Sequence, residues 1–276
     1  SQMDVAHSIL PYATMAEGAS VIVAGDPKQL APIHKAEPPL ELESMVGSTY
    51  QFFADERFHG VPECELTTNY RSNQAIVDFQ RSAGYPNNLD PKSPDLKIDL
   101  VDPLPDEEPA DWPDDLPWGE FLAPLLVPDR PCICVSYTGG LDSQWNAFEA
   151  DLVVSAVRAL KGRLGNQLRN EVNPETEENY RTTDETYGTE DFWRRGVGIV
   201  TPHRAQQALI VRRLQEQVGG TNEAPLIRNA VDTVERFQGQ QRDVIIASYA
   251  VSDPDMIEDE DEFLDDGGSL DTGGGT

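Results

Sequence analysis

The sequence predicts an α/β fold in which a parallel sheet is covered by helices on both faces. Three observations predict it. Short, nearly continuous apolar runs occur at Val21–Ala24, Cys132–Tyr137, Val197–Val200 and Asp243–Tyr249, as suits strands buried on both sides. Stretches with apolar residues at helical spacing lie between them, the alternation that builds a parallel sheet. Polar and cationic residues cluster in the turns beside these runs, and open α/β sheets bind ligands beyond the carboxyl ends of their strands.

Taken in order, the chain opens with a helical stretch that meets Pro11, and Val21–Ala24 then forms a strand feeding the Gly25-Asp26 turn. Cys64–Thr67 is a second short strand. Asn73–Ser82 is a helix with Ala75, Ile76 and Phe79 at helical spacing. Residues 90–131 carry ten prolines among acidic residues. Proline fixes φ and removes a donor, so helix and central strand are disfavoured there. This stretch reads as a surface insertion, which Trp112, Trp118 and Phe121 can anchor. Cys132–Tyr137 is a strand whose two cysteines point into the core. Asp142 or Ser143 caps a helix running to about Leu164, with Ala147, Ala150, Val153, Val154, Val157 and Leu160 on its apolar side. Residues 170–191 are acidic, without apolar period, and read as a second insertion. Val197–Val200 is a strand, and Pro202 sits in the first turn of the next helix, where its missing N–H costs nothing. That helix carries Ala205, Leu209 and Leu214. Asp243–Tyr249 is the last strand. Residues 253–276 hold ten acidic and no basic residues, too little apolar surface to offset ordering entropy, and read as a disordered tail.

The 276 residues include 21 Lys plus Arg and 49 Asp plus Glu, a formal net charge of −28. That excludes a simple basic nucleic-acid-binding domain. Any phosphate backbone must be held by local positive groups against the global field. Only Lys28, Lys35, Lys92, Lys97 and Lys161 are lysines; the other basic residues are arginines. A salt-adapted source and an ordinary acidic intracellular protein both fit. Cys64, Cys132 and Cys134 cannot build a disulfide framework, which suggests a reducing, cytoplasmic setting. No apolar run of about 18 residues occurs, so no transmembrane helix and no membrane partner are expected. His7, His34, His59 and His203 show no metal-ligand spacing, so no metal site is expected from them.

The turns carry the chemistry. Gly25-Asp26-Pro27-Lys28-Gln29-Leu30-Ala31-Pro32 follows the first strand and Asn69-Tyr70-Arg71-Ser72 the second. Thr201-Pro202-His203-Arg204-Ala205-Gln206 follows the Val197 strand. Asp232-Thr233-Val234-Glu235-Arg236-Phe237-Gln238-Gly239-Gln240-Gln241-Arg242-Asp243 leads into the last. Arg71 offers a planar fork suited to phosphate oxygens. Gln29 can orient a water or touch a phosphate, and Thr201 and Thr233 have the small hydroxyls that hold nucleic-acid backbones.

In this order the four blocks resemble superfamily 1 helicases, most closely the Upf1-like and Dna2-like group. Asn146-Ala147-Phe148-Glu149-Ala150 also resembles the helix opening that the family places before its fifth conserved block. The resemblance implies a RecA-like fold: residues 1–62 as the C-terminal part of a first RecA-like domain and 63–276 as a second, with the acidic insertions and tail. It implies that Gln29, with Gly25 and Asp26, couples the γ-phosphate of ATP to the nucleic-acid site. Arg71 would reach that phosphate and Tyr70 would stack near the adenine. Thr201, Pro202 and His203 would line a groove for single-stranded DNA or RNA. Thr233, Gln238 and Gly239 would contact backbone and nucleotide. Gln241 stands where the family has a ribose-binding Glu, and an amide can still hydrogen-bond there.

No G-x-x-x-x-G-K-[ST] occurs, so the phosphate cradle and its lysine are missing. Ser1-Gln2 resembles the end of the D-E-A-S-Q motif whose acidic pair binds Mg2+, and no arginine-finger motif is present. Loop, lysine, metal and arginine supply most of the transition-state stabilisation in phosphoryl transfer. The expectation is therefore an internal piece of an ATP- and Mg2+-dependent helicase, itself hydrolysing ATP poorly or not at all. The rival is a non-catalytic RecA-like interaction module.

Overall fold

The computed structural model describes residues 3, 5–30, 47–54, 61–98, 100–119, 122–137, 140, 142–169 and 180–252. His34, His59, Phe121 and the expected acidic tail lie outside them, as do all of residues 170–179. The chain divides into two units, one built on Ser1–Leu66 and the other on Thr67–Glu260.

In the first unit, helices α1 (Val5–Ala13) and α2 (Thr49–Ala54) are tied by two backbone bonds, Val5 N to Gly47 O at 3.1 Å and Thr49 N to Met3 O at 2.8 Å. The Val21–Ala24 run is not a strand. Ile22 is 93% exposed. A strand needs a neighbour to satisfy its N–H and C=O groups, and no described strand lies beside this one.

The second unit is the α/β body. Strand β1 is Thr68–Asn69, which follows the expected Cys64–Thr67, itself not a strand, and pairs in parallel with β2, Asp90–Pro91. Between them runs α3 (Gln74–Ser82), capped by the Asn73 side chain, which accepts from Ile76 N. Its buried residue is Val77, while Phe79 stays exposed, so the packed face is rotated from the expected one. Helix α4 (Leu122–Leu125) lies within the proline-rich segment. That segment enters the core: Trp112, Leu116, Leu122 and Leu126 are all buried.

The Cys132–Tyr137 run is a second apolar run that forms no strand with the described residues, and Cys132 and Cys134 are exposed rather than core. Helix α5 (Ala147–Leu160) is capped by Asn146, not by Asp142 or Ser143, because the Asn146 carboxamide oxygen accepts from Glu149 N. Its inward face, from Ala150 to Leu160, is the centre of the core. A hairpin of β3 (Gly165–Arg169) and β4 (Tyr180–Thr186) follows. One turn of helix, α6 (Thr189–Asp191), then opens into a π-turn at Phe192–Gly196 that buries Phe192 and Trp193.

Strands β5 (Val197–Thr201), β6 (Val231–Thr233) and β7 (Val244–Ala247) form a sheet of order β6-β5-β7 that is parallel throughout. Strand β5 (Val197–Thr201) is central. Helix α7 (Arg204–Gln217), α8 (Ala224–Ala230), β6 (Val231–Thr233), α9 (Val234–Phe237) and β7 (Val244–Ala247) complete it. Three of α7's residues at i, i+4 and i+8, Gln206, Ile210 and Leu214, are fully buried. Along strand β7, Val244 and Ile246 are half-buried and Ile245 and Ala247 exposed. Gly198 in β5 admits the close approach of the connection above it, since a Cβ there would stand 2.5 Å from Phe237 Cζ and 2.8 Å from Arg242 Cγ. Among the described residues no helix is long and apolar enough to cross a membrane.

Candidate functional site at the carboxyl ends of the strands

Parallel strands end together, so the residues that leave β5, β6 and β7 converge at one rim. Thr201 and Thr233 are register partners on β5 and β6. Pro202 and His203 follow directly, with His203 N donating to Thr201 Oγ1 at 3.4 Å. Thr201 and Thr233 are buried, whereas Pro202, Gly239 and Gln241 are exposed and His203 and Gln238 half-buried. The two hydroxyls therefore sit under the rim, with Pro202 and His203 beside Thr201 at its surface, while the segment from Phe237 to Asp243 leads back towards the start of β5, where Phe237 and Arg242 lie against Gly198 and Asp243 N donates to Arg195 O at 3.0 Å. Gly239 has φ +82°, a left-handed turn that glycine adopts without a Cβ penalty.

Beneath this rim lies a polar network that sequence reasoning missed. Gln206 Oε1 accepts from Asn146 N at 2.8 Å, and its Nε2 donates to Asn146 O at 3.2 Å and to Ser248 Oγ at 3.0 Å. Ser248 Oγ donates to Glu149 Oε2 at 2.6 Å, which also accepts from Ala250 N at 2.9 Å. The other carboxylate oxygen accepts from Tyr137 OH at 2.8 Å, and Asn146 Nδ2 donates to that hydroxyl at 2.7 Å. Burial, and then the bond to Glu149, hold the Tyr137 phenol well above its usual range. Helix α5, helix α7 and the exit from β7 are thereby locked together. Ala250 has φ 68°, a left-handed conformation for a residue with a Cβ, held by the Glu149 bond. The available signal was Gln206 itself, a polar residue in register with Ile210 and Leu214 on α7's buried stripe.

Tyr70 and Arg71 lie elsewhere in this unit, at the end of β1, in a different sheet. Asn69 Oδ1 accepts from Arg71 N at 2.8 Å and Ser72 N at 3.0 Å, which fixes the turn and leaves both Tyr70 and Arg71 exposed. Gly25, Asp26 and Gln29 belong to the first unit. There Asp26 accepts from Lys28 N at 3.0 Å and Gln29 Nε2 at 2.9 Å. Gly25 is required by close approach, since a Cβ would meet the Tyr50 ring at 2.9 Å. Tyr50 OH donates to Glu63 at 2.6 Å, and that bond, with burial, pushes its phenol up to about 12.

An exposed guanidinium on a braced turn fits the triphosphate end of a nucleotide. A Mg2+ ion does not find its ligands here: among the described residues no group of three or more His, Cys, Asp or Glu is placed to hold a metal.

The AAA domain family, AAA_12, matches residues 54–267. The chain is 25% identical over 235 residues to human "Probable helicase senataxin", covering 83% of this chain and 7% of that protein. It is 25% identical over 268 residues to "Putative helicase mov-10-B.1" of Danio rerio, covering 90% of this chain and 22% of that one. The chain thus spans less than a quarter of the length of these relatives. No solved structure matches it. With the family matched over most of the chain and the parallel sheet in place, the chain belongs to the AAA domain family AAA_12, as a superfamily 1 helicase region of the Upf1-like group.

Proposed function

We propose that this chain is the part of an ATP-dependent helicase that couples ATP hydrolysis to movement along single-stranded DNA or RNA. The carrying observation is the rim: Thr201 and Thr233 in register on β5 and β6, with Pro202-His203 directly after β5 and Gln206 of the following helix tied into a hydrogen-bonded network. In this reading the strand's backbone runs over the rim, touching Pro202, His203 and Gln238, with Thr201 and Thr233 shaping it from below. Arg71 and Gln29 bind the γ-phosphate, Tyr70 stacks on the base, and Gly25, Asp26, Gly239 and Gln241 complete the nucleotide contacts. ATP supplies the free energy when bound; the residues of this chain sense its terminal phosphate and hold the strand. The fixed floor suits that work, because a rim that holds its shape passes a change at the nucleotide to the strand as a rigid-body movement.

The domain boundaries expected from the sequence, 1–62 and 63–276 with two acidic insertions, are part of this proposal. The test is Arg71→Ala in a longer protein that contains this chain and has ATPase activity. ATP turnover should fall at least about a hundredfold, the scale of losing a charge-stabilising donor in a transition state, while affinity for a single-stranded oligonucleotide changes little. Unchanged turnover would overturn the assignment of Arg71.

A further inference from the structure

We propose that Trp145 and Tyr249 form a stacking platform for the unpaired bases of a nucleic-acid strand, which makes the rim a reader of bases as well as of backbone. This rests on the rim holding a single strand, as proposed above, and adds which part of the strand is recognised. Strands β5 and β7 are parallel, with Val200 beside Ala247. Ser248 N donates to Val200 O at 2.9 Å, so the chain stays alongside β5 for one residue past β7. Tyr249 therefore leaves the sheet at the same end as Pro202, and it is 67% exposed. Trp145 reaches that end from another element. It precedes Asn146, the cap of α5, whose N–H and C=O are both bonded to Gln206 in the first turn of α7. That turn begins directly after His203. Trp145 is 55% exposed.

The two rings are mounted on fixed backbone. Gln206 Nε2 lies 3.2 Å from Asn146 O and 3.0 Å from Ser248 Oγ, so one amide nitrogen holds the neighbour of Trp145 and the neighbour of Tyr249. Glu149 Oε2 accepts from Ser248 Oγ and Ala250 N, which pins the residues on both sides of Tyr249. Trp and Tyr present large flat faces with only two side-chain torsions to immobilise, and an already rigid backbone leaves little else to order on binding. Exposed aromatics scattered singly are ordinary; these two are gathered at one rim through the same Gln206. The charge of the rim points the same way. Of residues 202–206 and 248–252, which leave β5 and β7 here, Arg204 alone carries a full positive charge, and residues 142–146 add Asp142 and no cation. The whole chain has a net charge of −28. Attraction to phosphates is therefore weak at this end, and salt screens what there is. Stacking of neutral rings suffers neither loss. Every base has a π face, so such a platform takes any sequence, while bases already paired and stacked in a duplex cannot reach it.

The test is fluorescence anisotropy of the 276-residue chain with three labelled probes: an oligodeoxyadenosine of about 15 nucleotides, long enough for a single-strand site, an abasic strand of the same length, and a duplex of that length. The base-bearing strand should bind at least about tenfold more tightly than the abasic one. Trp145→Ala and Tyr249→Ala should each lose about tenfold for the base-bearing strand, change the abasic strand little, and leave the far-ultraviolet circular dichroism as it is. Trp145→Phe and Tyr249→Phe keep a ring and should keep most of the affinity. Binding should quench the fluorescence of Trp145, and that quench should vanish in Trp145→Phe. The slope of log affinity against log salt should be shallow, about −1, as for one or two phosphate contacts. Equal affinity for the base-bearing and abasic strands, alanine variants that match the parent, or a duplex that binds as tightly as the single strand overturn the platform and leave the rim's hold on the backbone standing. A parent that binds none of the three probes overturns the reading of the rim, and the platform with it.

Discussion

Replacing Glu149 by alanine should unfold the floor of the rim before anything else. The carboxylate serves three donors: Ser248 Oγ at 2.6 Å, Ala250 N at 2.9 Å and Tyr137 OH at 2.8 Å. Ala250 is fully buried and Ser248 is 3% exposed, so water cannot readily replace the lost acceptor. A hydrogen bond to a charged group contributes about 1.5–3 kcal/mol, and a buried donor left unmade costs about 1–3 kcal/mol. The terms do not add fully. Ser248 keeps its bond from Gln206, and Tyr137 keeps its bond from Asn146. The expected loss is therefore about 2–5 kcal/mol, a large share of a total of roughly 5–15 kcal/mol. For a unit of this size that is a fall in Tm of about 5–15 °C. Glu149→Gln keeps one acceptor oxygen and should lose about half as much. Urea and thermal unfolding followed by circular dichroism measure both. A double-mutant cycle with Ser248→Ala should give a coupling of about 0.5–3 kcal/mol. A Glu149→Ala variant within about 0.5 kcal/mol of the parent, the range of a neutral surface change, would refute the network as a structural element.

Two further outcomes follow from single positions. Gly198→Ala places a methyl 2.5 Å from Phe237 Cζ and 2.8 Å from Arg242 Cγ, an overpacking expected to cost about 1–3 kcal/mol in unfolding free energy; an unchanged urea midpoint would mean that Phe237 does not lie over this face. Glu223 is a case of linkage: burial pushes its carboxyl up, but Lys161 at 2.8 Å and Trp193 at 2.6 Å outweigh that and hold it below its ordinary value of 4.5. A carboxylate depressed on folding contributes stability that is present above its unfolded pKa and lost as pH falls through the folded one. Glu223→Gln should thus be less stable than the parent at neutral pH, with the gap closing below about pH 4.5 in urea titrations across the acid range; a pH-independent gap would contradict the shift.

What the sequence made legible were elements whose partners are also strong signals. Val197–Val200 was placed to within one residue of β5, and Asp243–Tyr249 contains β7, because each is an apolar run with the other beside it. Val21–Ala24 and Cys132–Tyr137 carry the same local signal without a strand beside them among the described residues, and pairing is not written in a single run. The converse is β6. Val231-Asp232-Thr233 has one apolar residue in three and reads as a linker, yet the open edge of β5 makes it a strand. Proline masked the core role of Trp112 and Leu116, since a ring that fixes φ restrains the backbone and does nothing to keep neighbouring side chains from burying. At the site, the motif order brought out Thr201 and Thr233, which the fold sets side by side. It gave no role to Gln206 or Glu149, because most of their partners, all but Tyr137, come from positions 42 to 101 residues away in sequence.

Those distant partners explain why a rim of this kind carries so much buried polarity. An apolar floor would bury more area and cost less to dehydrate, but apolar contacts are non-directional and allow neighbouring elements to slide. Gln206 can satisfy both its amide ends only when Asn146 and Ser248 stand at one distance and orientation, and Glu149 then fixes the chain just past Ser248 through Ala250 N. A one-residue slip of β7 against β5 would strand several buried donors at once, each a penalty of about 1–3 kcal/mol. The network thus sets register as well as adding stability. In the role proposed above, that fixity is what Pro202 and His203 need to keep their place beside Thr201 and Thr233 while a strand is held and released.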